Sequence, residues 1–143
     1  MLLALILPTL LVLWWQHRHD WVEQPCDLPA DWETRTITVN DDSDWLDLTS
    51  HALAAPAPST LLLADATGEN GVTFATQVER FGNDVNILTV ADWHETAAHY
   101  RLNASAAPRV IVLMHPRQVT RKDLAKALAD IPHETGIIGI CRQ

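Results

Sequence analysis

A layered α/β domain with a largely central sheet is what this sequence predicts, on three observations. Two runs, residues 60–64 (Thr-Leu-Leu-Leu-Ala) and 110–114 (Val-Ile-Val-Leu-Met), are continuously apolar and bounded by turn residues. That is the pattern of strands covered on both faces. Two further runs, 34–39 and 85–90, are rich in β-branched residues and read as strands. Between the runs, apolar residues recur every three or four positions, as one buried helix face requires. Strands alternating with amphipathic helices build layers around a sheet.

The chain begins with 15 almost wholly apolar residues closed by Trp14 and Trp15 and interrupted by Pro8. A membrane span wants about 20 apolar residues, and tryptophans gather where a span meets the headgroups. A cleaved signal peptide would show a basic start and a small-residue exit. Neither is present, so residues 1–16 read as an uncleaved N-terminal anchor. Residues 17–33 read as a connector, too aromatic at Trp21 and Trp32 for a free tether. Residues 34–143 are left as the domain.

Within the domain, the strand at 34–39 runs into Asp41, Asp42, Ser43 and Asp44, short polar residues suited to capping a helix. Trp45, Leu48 and Ala52 then fall on one helix face, which ends before Pro56. After the strand at 60–64 comes the polar turn 65–71. A helix with Phe74, Val78 and Phe81 follows and stops at Gly82. The strand at 85–90, a short helix at 94–102 and a strand opened by Pro108 come next. Proline cannot donate to a ladder, so it belongs at the strand's first position. The turn at 115–118 leaves room for a minor strand around Val119. Thr120 and Asp123 form a capping pattern for a helix with Leu124, Leu128 and Ile131 on one face. Residues 136–140 read as an added edge strand. The order is β-α-β-α-β-α-β-(β)-α.

A net charge of −8 argues against a nucleic-acid surface. Arg117, Arg121 and Lys122 form one local basic cluster, which reads as a solvated loop and helix start. Seven histidines raise the question of a metal, but the close pairs are His17 with His19 and His94 with His99. Residues five apart do not share a helix face, so no metal and no cofactor are expected. Cys26 and Cys141, 115 positions apart, match no metal or redox spacing. They are either a staple joining the ends of the domain or two unrelated thiols. Arg18 is a weak vote for a cytoplasmic domain.

The order of elements over residues 34–131 resembles the thioredoxin fold. Residues 37–45 resemble that family's first strand and cap, and residues 61–67 its strand leading to the active-site loop. Residues 94–113 resemble its short helix, turn and cis-proline strand. The resemblance implies a cis Ala107–Pro108 bond, and a groove holding an extended peptide between Gly68, Glu69, Asn70, Gly71 and Ala107, Pro108. Where that family carries CxxC, this chain has Gly68-Glu69-Asn70-Gly71, so dithiol exchange is excluded there. Glu69 suits a structural role near a helix N-terminus. A general-base role with His94 or His115 would need a pocket.

The reading that follows is a membrane-anchored, redox-inactive, thioredoxin-like binding or assembly module. Its partner would be a protein of a membrane-associated complex, with the domain on the extracytoplasmic side and the cytoplasmic side left open. The rival is a thiol-independent enzyme of the same fold working through Glu69 and histidines.

Overall fold

The computed structural model describes residues 2–18, 20–56, 58–82 and 84–142, with side chains described for all of these except 2, 3, 5 and 14–18. Helices α1 (Leu2–Arg18) and α2 (Ala30–Glu33) precede strand β1 (Thr36–Val39) and helix α3 (Asp42–Ala52). Then come β2 (Thr60–Asp65), α4 (Asn70–Phe81), β3 (Asn86–Val90) and α5 (Thr96–Leu102). The chain closes with β4 (Arg109–Met114), α6 (Arg121–Ala127) and β5 (Gly136–Cys141). Two expected caps form: Asp41 accepts from the Asp44 amide at 3.0 Å, and Thr120 from the Asp123 amide at 3.2 Å.

All five strands are parallel, in the order β1-β5-β4-β2-β3. Alternate residues of each central strand enter opposite layers. Leu61, Leu63, Ile111 and Leu113 pack with Trp45 and Leu48 of α3 and with Phe74 and Val78 of α4. Leu62, Val110 and Val112 pack with Ala97 of α5 and with Leu124 and Leu128 beyond the sheet's other face. The sheet is therefore doubly wound, which explains why its central strands carry no polar residue between their ends.

The structure corrects the expected order at its end. Residues 136–141 are not an edge strand. They lie between β1 and β4, buried at every position. Gly136 makes this close packing feasible, because a Cβ there would come within 2.4 Å of the Trp32 ring. No strand forms around Val119. Its carbonyl instead accepts from the Val22 amide at 2.8 Å, beside an isolated bridge between Trp21 and Thr120. The Ala107–Pro108 bond is trans, and the cis bond among the described residues is Ala55–Pro56. Ala107 turns the chain into β4 by a different device, a left-handed backbone at φ +46°.

The expected connector is part of the folded body. Val22, Leu28 and Trp32 are buried in the α6 layer. Arg121 ties the segment down through Asp20 at 3.3 Å and Asp27 at 2.9 Å. Burial pushes the Asp27 carboxyl up, but the Glu23 and Gln24 amides and the Arg121 guanidinium outweigh it and hold it below the ordinary range. Arg117 pairs with Glu23.

The 17 residues of α1 reach about 26 Å at 1.5 Å per residue, against a hydrocarbon core of about 30 Å. Among the described residues, no helix is long and apolar enough to cross a membrane. A spanning anchor is therefore not supported. Ile6, Leu7, Leu10, Leu11, Val12 and Leu13 are nonetheless all exposed. The expected roles of Trp14, Trp15 and His17 concern side chains outside the described set, and His19 lies outside the described residues.

Cys26 and Cys141 are both free. Cys26 belongs to the turn beside Leu28 and Trp32 on the α6 side, whereas the Cys141 side chain lies in the α3–α4 layer. The sheet stands between them, so of the two alternatives the staple does not form and the thiols are separate.

Candidate functional site

Parallel strands put two separate sets of loops at the two ends of the sheet. Gly68, Glu69, Asn70 and Gly71 follow β2 and lie at its carboxyl end. Ala107 and Pro108 precede β4 and lie at the amino end, because Leu61 pairs with Arg109 and Asp65 with Leu113. Pro108 is five residues before Leu113, which at about 3.3 Å per residue is roughly 16 Å away along the sheet. The two halves of the expected groove do not meet. They would do so only if β4 ran antiparallel to β2.

The carboxyl end between β2 and β4 is the switch point, where the following helices leave to opposite faces and where doubly wound proteins commonly bind ligands. Asp65 organises it. One carboxylate oxygen accepts from the Thr67 amide at 2.9 Å and from the Thr67 hydroxyl, and the other from the Gly71 amide at 2.6 Å. Thr67 in turn accepts from the amides of Glu69 and Asn70, each at 3.0 Å. Gly68 supplies the positive φ of +72° that the turn needs. Gly71 lets the helix start approach Asp65, since a Cβ there would sit 2.9 Å from the carboxylate. Gln118 donates to the Ala66 carbonyl and accepts from the His115 amide at 2.9 Å, closing the facing loop.

Glu69 and both candidate histidines do share this end of the sheet, but each histidine has its own partner. His94 pairs with Asp92 at 2.9 Å, and His115 Nδ1 lies 2.9 Å from the Cys141 carbonyl oxygen. No hydrogen bond joins Glu69 to either among the described residues. The Cys141 thiol is pushed up to about 12, by burial first and by the Asp65 carboxylate second, so it stays protonated. The Asn70 side-chain amide is buried beside the Cys141 sulfur and partly offsets that rise. Asp65 and Thr67, rather than Glu69, hold the loop. Their signal in the sequence was an aspartate closing an apolar strand with a threonine two residues later.

Asp65→Ala is expected to cost about 2–3 kcal/mol, because three donors lose a charged acceptor. The loss should appear as a lower urea midpoint and as faster amide exchange at Thr67 and Gly71. Unchanged exchange there would show that the loop stands without the carboxylate.

The amino end is more open. A cavity of about 350 Å³ lies between the end of α3 and the starts of β1 and β4, and a neighbouring one of about 310 Å³ shares Pro56, Arg109 and Glu134 with it. Ala107 and Pro108 line the second. Among the described residues no group of three or more His, Cys, Asp or Glu could hold a metal; His99 instead lies 3.6 Å from Glu95. Comparison of the chain with protein-family models, curated proteins and solved structures returns no match.

Proposed function

We propose that this protein is a membrane-tethered binding or assembly module, held at a membrane by α1 and serving a protein partner there. The observation that carries the reading is the set of exposed apolar side chains on α1, Ile6, Leu7, Leu10, Leu11, Val12 and Leu13, each roughly half exposed among the described residues. The ionic ties at Asp20, Glu23 and Asp27 support it, since they fasten the segment after α1 to the body. A helix shorter than the hydrocarbon core inserts partway, or is met by local thinning.

The switch-point chemistry favours binding over catalysis: Asp65 is occupied by its own loop and Cys141 is protonated. A thioredoxin-like peptide groove is not carried into the proposal, because its two halves lie at opposite ends of the sheet. An extracytoplasmic location loses the support of a Cys26–Cys141 staple, as both thiols are free.

Flotation of the full chain with lipid vesicles tests the tether. The wild-type chain is expected to float with the vesicles. Leu10→Arg should reduce partitioning on the order of 100-fold, from the 2.5–3.5 kcal/mol cost of a buried arginine. A wild-type chain that stays at the bottom of the gradient would overturn the reading.

A further inference from the structure

The cavities at the amino end of the sheet hold two guanidinium groups without a carboxylate partner among the described residues. Arg109 reaches across from the start of β4 to the end of α3. It donates through Nη1 to the Ala52 carbonyl at 2.7 Å and the Ala54 carbonyl at 3.1 Å, and through Nη2 to the Pro56 carbonyl at 3.1 Å. Arg35, before β1, donates through Nε to the Gly136 carbonyl at 2.7 Å and through Nη2 to the Glu134 carbonyl at 3.1 Å. Both therefore cap strand and helix ends with neutral acceptors, and Arg35 Nη1 keeps its donors free of any protein acceptor among the described residues.

Two like charges facing one cavity repel each other. Arg109 is held below its ordinary value by burial first and by the Arg35 charge second. Among the described residues Glu134 is the acidic one lining this cavity, but its carboxylate is 71% exposed and lies 3.5 Å from His133. Of the remaining walls, Ile37, Ala54, Ala55, Pro56 and Ile137 are apolar, while Thr34 and His51 are polar. A volume of about 350 Å³ is that of a small-ligand pocket.

We infer that this cavity is a binding site for a small oxyanion carried on a compact apolar group, with Arg35 and Arg109 as its anion-holding residues. Arginine suits the task because its planar fork offers paired donors to a carboxylate or phosphate. The inference gives the binding module a ligand class and does not depend on the tether. A chain that fails to float yet binds the anion would sink one and not the other.

Calorimetric titration of the full chain at constant ionic strength is the test, with phenyl phosphate, benzoate and inorganic phosphate as probes. Saturable binding is expected for phenyl phosphate or benzoate, whichever headgroup the site takes, and weaker binding for inorganic phosphate. Arg35→Gln should weaken it roughly 10–100-fold, the effect of losing a charged hydrogen bond. Glu134→Gln, at an exposed position that does not threaten folding, should tighten it by roughly 1.5–5-fold. No saturable uptake of any probe would overturn the proposal. So would affinities that ignore both substitutions, or inorganic phosphate bound as tightly as the aromatic probes.

Discussion

Phe74→Ala is expected to remove about 3–5 kcal/mol of stability, a large share of the 5–15 kcal/mol that a domain of this kind has. Phe74 is fully buried and packs against Leu61 and Leu63 of β2 and Ile111 of β4. It matters more than a typical core residue because α4 buries only Phe74 and Val78. Without its ring, α4 is held to the sheet by one valine and by the Asp65 grip on its first turn. The urea midpoint should fall while the dependence on urea stays unchanged. Phe81, on the same helix, is the control. Its ring is about half exposed, with the Arg80 guanidinium 5.1 Å from its centre. Phe81→Ala should stay within about 0.5 kcal/mol of wild type. Equal losses at the two positions would contradict the packing described here.

The second large effect is chemical. Cys26 is exposed, whereas Cys141 is buried with its thiol pushed up to about 12 from an ordinary 9.0. Only the thiolate attacks, so a shift of that size reduces the reactive fraction by about 1,000-fold at neutral pH, before access is counted. Maleimide labelling of the native protein, read by mass spectrometry, should modify the exposed Cys26 on the order of 100 times faster than the buried Cys141, because the greater nucleophilicity of a high-pKa thiolate offsets part of its scarcity. In urea the two rates should converge. A native protein in which neither thiol reacts would mean that they are bridged, and equal native rates would mean that Cys141 is not enclosed.

Much of the element order was legible in the sequence because it rests on local signals. Apolar runs at 60–64 and 110–114 became strands, Asp41 and Thr120 became caps, and Trp45, Leu48, Phe74 and Val78 faced the core. Strand direction was left open, although a helix between successive strands favours parallel crossovers. That one unknown split the expected site, sending Gly68 to Gly71 to one end of the sheet and Pro108 to the other. The central place of β5 was also hidden. Residues 136–141 have the apolar character of a covered strand, but a terminal position suggested an edge. The basic pair was missed for a related reason: Arg35 and Arg109 are 74 positions apart and share a cavity only because β1 and β4 start at the same end of the sheet.

The position of β5 also sets the order in which the chain can be completed. β1 emerges early in synthesis, yet its sheet neighbour is residues 136–141, some hundred positions later, with Thr36 opposite Ile138. β2, β3 and β4 can pair among themselves as they appear, but β1 waits for the last strand to be made. Contacts of such long sequence separation slow folding and leave intermediates with unpaired edges. The edge of β1 therefore stays unpaired until residues 136–141 have been made.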